Sequence, residues 1–122
     1  MSEVQPVRLL ILCTDLIFST KITGTAKSLG VPFAVVRTLE KLREQLAAHP
    51  IATFIVDLNA DRVNAIEAVR VAKAHAPSPR VVAFLSHVQV ELAQEAGNAG
   101  ADEVLARSGF VAQLPAIVTA AK

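Results

Sequence analysis

The sequence predicts a doubly wound α/β domain, in which five parallel strands form one sheet with helices on both faces. Five short apolar runs recur along the 122 residues, and they are nearly continuous rather than alternating. Continuous runs indicate strands that are buried on both faces. Segments with apolar residues three and four positions apart separate the runs, as in amphipathic helices. With right-handed crossovers, this (βα)5 order gives three layers, and we expect one domain over residues 1–122.

The elements follow one another at intervals of about 20–25 residues, which suits short strands alternating with short helices. The predicted strands are Val7–Cys13, Phe33–Val36, Ile51–Val56, Arg80–Leu85 and Glu103–Ala106. The predicted helical stripes are Ile22, Ala26 and Leu29; Leu39, Leu42 and Leu46; Val63, Ile66, Val69 and Arg70; and Val111, Leu114, Val118 and Ala121.

Residues that favour helix ends stand between these segments. Gly30 and Pro32 are predicted to end the first helix, since glycine accepts a left-handed conformation and proline cannot continue a helix. Thr38 is a predicted N-cap of the second helix. Proline-containing stretches at residues 49–50 and 76–79 end the second and third helices, and the glycines in 97–100 end the fourth.

Composition and charge exclude several classes of protein. Twelve Lys and Arg balance eleven Asp and Glu without a basic run, which argues against a nucleic-acid-binding surface. The single Cys13 excludes an internal disulfide and fits a reducing compartment. The longest apolar run is too short to cross a bilayer, and the first residues lack a secretory pattern. We therefore expect a cytoplasmic protein that binds neither membrane nor nucleic acid.

Polar residues follow the ends of four predicted strands. Because the carboxyl ends of parallel strands meet at one edge, a ligand or reaction site is expected there. The residues concerned are Cys13, Thr14, Asp15, Asp57, Asn59, Ser86, His87, Arg107 and Ser108.

Three segments resemble the receiver domains of response regulators. Residues 54–59 are similar to the strand that ends in the phosphoacceptor Asp, residues 82–86 to the strand that ends in Ser or Thr, and residues 99–107 to the approach to the last basic residue. The resemblance covers the chain from about Val7 to the last helix. It implies a flavodoxin-like fold, Asp57 as the phosphoacceptor equivalent, and Ser86 and Arg107 near the phosphoryl group.

The same comparison predicts incomplete metal-binding equipment. Receiver domains carry two adjacent acids after the first strand that hold Mg²⁺, and the matching positions here are Cys13 and Thr14. Arg107 stands where the family has Lys, and it presents a planar fork instead of a point charge. Val104 stands where the family has a switching aromatic residue. We therefore predict a degenerate receiver without a cofactor; if Mg²⁺ bound at all, Asp15 and Asp57 would be its ligands.

The acidic residues and Arg107 each have a structural and a functional interpretation. Asp57 would accept a phosphoryl group, or it would only pair with Arg107 or cap a loop. Asp15 is predicted foremost as a helix N-cap, with metal ligation as the alternative. Our hypothesis is that Arg107 takes the place of the missing cation and holds Asp57 through a charge-assisted pair.

Three further residues near this edge also have two interpretations each. Ser86 would contact a phosphoryl group, or form a capping box with Gln89. His87 would confer pH sensitivity, or be a solvated loop residue. Cys13 is interpreted as a small core residue in preference to a thiol nucleophile.

The leading functional interpretation is a stand-alone receiver-like signalling module that acts by protein–protein interaction. The resemblance implies contacts, with a partner or with a second copy, through the fourth helix, fifth strand and fifth helix, roughly residues 87–121. The alternative is a single-domain response regulator phosphorylated on Asp57 by a histidine kinase in a two-component phosphorelay. A small-molecule or nucleotide-binding domain is a third possibility, but the first loop has no glycine-rich phosphate cradle. The sequence shows no set of base, nucleophile and oxyanion donors, so we do not predict an enzyme.

Overall fold

The computed structural model describes residues 5–86 and 89–122, and it confirms the alternation of five strands and five helices. The strands are β1 Leu9–Leu12, β2 Phe33–Val35, β3 Thr53–Asp57, β4 Arg80–Leu85 and β5 Glu103–Ala106. The helices are α1 Leu16–Ser28, α2 Leu39–Ala48, α3 Ala65–Ala74, α4 Val90–Ala99 and α5 Arg107–Thr119. None of these helices is both long and apolar enough to cross a membrane, as judged over the described residues.

The five strands form one parallel sheet in the order β2-β1-β3-β4-β5, as the predicted flavodoxin-like fold requires. β3 lies in the middle, and its last residue, Asp57, is level with Phe84 of β4. Leu85 of β4 is in turn level with Ala106 of β5. The polar residues that follow β1, β3, β4 and β5 are therefore brought to one edge of the sheet.

Each face of the sheet is covered by its own set of helices. Helices α1 and α5 cover one face and bury Leu9, Ile11, Ile55 and Phe84. Helices α2, α3 and α4 cover the other face, where the alternate strand residues lie. Because successive strand residues point to opposite faces, burial on both sides explains why the strands are continuously apolar.

Several predicted helix ends are confirmed by their hydrogen bonds. The Asp15 carboxylate accepts from the Phe18 N–H at 3.0 Å, and the Thr38 hydroxyl accepts from the Lys41 N–H at 3.0 Å. At the end of α4, Gly100 has φ = 115°, a conformation that L side chains rarely adopt. A Cβ at this position would also lie 2.9 Å from Cγ of Lys73.

Two local predictions were wrong. Ser86 and Gln89 do not form a capping box, because α4 begins at Val90 and Gln89 occupies the N-cap without a side-chain capping bond. The Gln89 side chain instead accepts a hydrogen bond from the Asn59 amide. Val63, predicted within the third helix, precedes it, because Asn64 caps α3 by accepting from the Glu67 N–H.

Candidate functional site

Asp57 lies at the end of the central strand and is almost completely enclosed, with 2% of its surface exposed. Its Oδ1 accepts a hydrogen bond from the Asn59 N–H at 2.9 Å. Its Oδ2 faces the Cys13 thiol, with Sγ at 3.7 Å. The carboxyl group is therefore held by a backbone amide on one side and by a neutral thiol on the other.

Burial changes the acidity of both groups in the same direction. Removal from water raises the pKa of Asp57, and the hydrogen bond from Asn59 and the charge of Arg107 offset only part of that effect. Burial also raises the pKa of the Cys13 thiol to about 11, and the neighbouring carboxylates add to this. Cys13 thus stays protonated at neutral pH, which fits its interpretation as a core residue and excludes a ready thiolate nucleophile.

Arg107 begins α5 and is fixed by an ion pair and by aromatic rings. Its Nη1 lies 3.7 Å from Oδ2 of Asp15. Its guanidinium carbon lies 4.4 Å from the centre of the Phe18 ring and 6.0 Å from that of Phe84. Phe110 stacks on Phe84 at 4.4 Å, so three of the five phenylalanines form the support beneath the cation. Such cation–π contacts stabilise a guanidinium by about 0.5–2 kcal/mol, depending on desolvation.

The predicted direct pair between Arg107 and Asp57 is replaced by a pair between Arg107 and Asp15. The reason lies in the packing: stacking on Phe18 of α1 places the guanidinium beside Asp15, the residue that caps α1. Arg107 still acts on Asp57 through its charge. Asp15 therefore reaches the site. One of its carboxylate oxygens accepts a hydrogen bond from the Phe18 N–H, and the other forms the ion pair with Arg107.

Asn59 and Thr14 hold the surrounding loops. The Asn59 Oδ1 accepts from the Ser86 N–H at 2.8 Å, and its Nδ2 donates to Oε1 of Gln89 at 2.9 Å. The Thr14 hydroxyl accepts from the Asp61 N–H at 2.8 Å. These bonds connect the loop after β3 with those after β1 and β4, so the carboxyl edge is one connected polar surface.

The structure thus brings together six residues that the sequence pointed to: Thr14, Asp15, Asp57, Asn59, Ser86 and Arg107. His87 lies outside the described residues. Sequence reasoning missed the contact of Cys13 with Asp57 and the role of Phe18 as a platform for Arg107. Burial of Phe18 could have been expected from its spacing to Ile22, but its position under a cation depends on how α1 and α5 pack.

The donor set at this edge does not fit a Mg²⁺ site. Magnesium requires near-octahedral oxygen ligands, usually with one or two carboxylates free to bind it. Here a thiol faces Asp57, and the Asp15 carboxylate is already paired with Arg107. The residues that the structure describes form no group of three or more His, Cys, Asp or Glu that could hold a metal ion.

The fold that carries this site is similar to the folds of solved structures, although sequence comparisons find no match. No family model matches the sequence. No curated protein matches it either. The structure is similar to the receiver domain of NtrX from Brucella abortus, with a TM-score of 0.79 and 14% identity over 93% of this chain and 96% of that one. The chain has the receiver fold.

Two other structures with the receiver fold are similar to this chain, again at low sequence identity. One is the beryllofluoride-activated NtrC4 receiver domain dimer, with a TM-score of 0.75 and 15% identity over 94% of this chain and 98% of that one. The other is a response regulator from Burkholderia pseudomallei with a phosphorylated aspartic acid, calcium ion and citrate, with a TM-score of 0.77 and 16% identity. The match covers 92% of this chain and 66% of that one.

Proposed function

We propose that this chain is a receiver-like signalling module of the two-component type that works through protein–protein contacts, without Mg²⁺-dependent phosphorylation of Asp57. One observation carries the proposal: the Arg107 cation beside the site is paired with Asp15 and stacked on Phe18, while Asp57 lies buried against a thiol. The signal would then depend on the partner that is bound instead of on a phosphoryl group.

The charges at this edge support the proposal. Phosphoryl transfer to a carboxylate brings further negative charge to the site, and it is catalysed mainly by cations that neutralise this charge. Asp15 is paired with Arg107 and offsets part of its charge, so less positive charge is available to an incoming phosphoryl group. Burial already disfavours the ionised Asp57 that would have to act as nucleophile.

The surface for a protein partner is proposed on the face formed by α4, β5 and α5. A groove of about 380 Å³ lies between α4 and β5. Its lining is Leu85, Gln89, Val90, Ala93, Gln94, Val104, Leu105 and Ala106. Exposed apolar surface rimmed by polar groups is typical of protein contact surfaces, and one structural neighbour with the receiver fold is a dimer.

Phosphorylation chemistry tests the proposal directly. The protein is incubated with a small acyl phosphate and Mg²⁺, and intact mass is measured at low temperature beside the Asp57→Asn variant. We expect no adduct in either protein. A labile phosphoryl adduct in the native protein, absent from Asp57→Asn, would show that the alternative function, a phosphorylated response regulator, is correct.

A gain-of-function variant makes a negative result informative. Cys13→Asp combined with Thr14→Asp restores the two acids that the family resemblance implies. With two new carboxylates beside Asp15 and Asp57, we expect Mg²⁺ to raise the Tm of this variant, because an ion that binds only the folded state stabilises it. The native protein should show no such shift. If Mg²⁺ stabilises both proteins equally, the proposed metal-free site is wrong.

A further inference from the structure

A groove runs from the space between α2 and α3 to the amino end of the sheet, opposite the end that carries Asp57. It consists of two adjoining cavities of about 390 and 350 Å³, and both are lined by Leu46 and His75. The first cavity lies between the two helices, and the second lies against Ile51 and Ala52, which lead into β3. Cavities of this size are typical of small-molecule sites.

The first cavity carries more positive than negative charge. Arg43 of α2 and Arg70 of α3 both line it, and Glu67 is the one acid in its lining. Glu67 pairs with Nη1 of Arg70 at 3.2 Å, whereas Arg43 forms no ion pair with any residue that the structure describes. With His75 counted as neutral, two guanidinium groups and one carboxylate leave one positive charge in this cavity.

Nearby negative groups offset this charge only in part. Glu44 of α2 pairs with Lys41 at 3.2 Å, and Glu40, at the start of α2, does not line the cavity. The last carbonyl groups of α2 and α3 carry a partial negative charge that falls off within one turn. Arg43 and Arg70 each lie more than one turn before the last residue of their helix. An anion is therefore favoured between these two arginines.

The second cavity has a largely apolar lining. The Arg8 guanidinium brings positive charge there, but it donates a hydrogen bond to a backbone carbonyl. Nδ1 of His49 accepts from the Val7 N–H at 3.2 Å. The apolar residues of this lining are Leu46, Pro50, Ile51, Ala52 and Pro77. Since its polar side chains already have hydrogen-bond partners, the second cavity suits an uncharged apolar group.

We infer that this groove binds a linear carboxylate with an apolar chain, a ligand of the fatty-acid class. The carboxylate lies between Arg43 and Arg70, whose planar guanidinium groups match carboxylate geometry. Its single negative charge complements the one positive charge of the first cavity. The chain crosses Leu46 into the second cavity, where loss of apolar surface from water favours binding. The site lies at the other end of the sheet from Asp57, so it is independent of the proposed function.

Titration of the full chain with octanoate, followed by amide NMR shifts, tests the inference. We expect saturable shifts in residues 43–52 and 70–77. Affinity should rise by about two- to fourfold for each methylene added from hexanoate to decanoate. Octanol has the same chain without the charge and should bind at least severalfold more weakly. Equal binding of octanoate and octanol would overturn the inference, as would shifts confined to the α4–β5 groove or no saturable shift.

Charge variants locate the carboxylate within the groove. Arg43→Gln removes one guanidinium and should weaken octanoate binding at least severalfold, whereas Lys27→Gln on α1 should leave it unchanged. Ala74→Glu adds a carboxylate to the first cavity and should also weaken binding. Its matched control is Ala112→Glu, at an exposed position of α5. Unchanged affinity in Arg43→Gln or Ala74→Glu, or equal losses in the controls, would overturn the inference. Phosphorylation of Asp57 would refute the proposed function and leave these results unaffected.

Discussion

The guanidinium of Arg107 is paired with Asp15, at 3.7 Å between Nη1 and Oδ2, and not with the buried Asp57 beside it. Because both partners are partly exposed, with 31% and 42% of their side chains accessible, the pair itself stabilises the fold by no more than about 1 kcal/mol. The pair matters because of where it lies. It engages the Arg107 cation and the Asp15 carboxylate, which stand at the edge of the Asp57 site.

The pKa of Asp57 should respond to both members of this pair. Arg107→Gln removes a charge that lowers the pKa of Asp57, so the pKa should rise further above its ordinary value. Asp15→Asn removes a charge that raises it, so the pKa should fall, while Asn preserves the N-cap of α1. The carboxyl carbon shift of Asp57, followed by NMR against pH, measures both effects. Arg80→Gln, at the other edge of the sheet, should change nothing; an unchanged pKa in Arg107→Gln would contradict the electrostatic link.

Asp57→Asn should stabilise the protein at neutral pH. The folded state holds the Asp57 proton more tightly than the unfolded state, so stability falls as pH rises from 3.8 through the folded pKa and remains lower above it. Asn keeps an oxygen for the Asn59 N–H and removes the buried charge. Thermal unfolding should give a higher Tm than the native protein at pH 7 and a smaller difference at low pH. The exposed control Asp61→Asn should change stability by less than about 0.5 kcal/mol; a loss of Tm at pH 7 in Asp57→Asn would refute the argument.

Asp102 is expected to be a stabilising acid at the opposite edge of the sheet. Its Oδ2 accepts from the Val81 N–H at 2.7 Å and from the Lys73 ammonium at 3.0 Å. Partial burial alone would raise the pKa of Asp102, but these two hydrogen bonds and the charges of Lys73 and Arg80 lower it. Asp102→Ala leaves a buried N–H without this acceptor and should cost about 1–3 kcal/mol in chemical denaturation.

The pH dependence of Asp102 has the opposite sign to that of Asp57. The folded pKa is lowered, so its contribution is complete above 3.8 and is lost as pH falls through the folded value. The difference in unfolding free energy between the native protein and Asp102→Ala should therefore shrink in acid. The surface control Glu44→Ala, which breaks an exposed pair with Lys41, should cost less than about 1 kcal/mol. Equal losses in the two variants would contradict the role given to Asp102.

Ile17→Glu should stabilise the protein through the first turn of α1. A carboxylate in the first turn of α1 complements the helix dipole and should stabilise the protein by about 0.3–1 kcal/mol at low salt. The exposed Ile17 loses little packing in this change. Denaturant unfolding at low and at high salt measures the gain, which salt should reduce. A destabilised variant would show that the Ile17 side chain contributes to the fold in spite of its exposure.

The sequence alone was sufficient for the architecture. Continuous apolar runs such as residues 81–85 require burial on both faces, and alternation with amphipathic helices then leaves few topologies other than the observed one. It also placed Asp57, Ser86 and Arg107 at one edge, because parallel strands end on the same side. The N-caps Asp15 and Thr38 were predictable because capping is a local interaction.

Only the tertiary structure decided which charged groups are paired. Arg107 and Asp15 are far apart along the chain, and their pairing depends on α5 packing against α1 so that the guanidinium stacks on Phe18. Parallel pairing of β1 with β3, in which Leu12 is level with Val56, brings Cys13 against Asp57. Distances of this kind arise from strand register and from how helices pack on a sheet, which apolar spacing does not specify. The fold was therefore predictable from local pattern, whereas the electrostatics of the site followed from long-range packing.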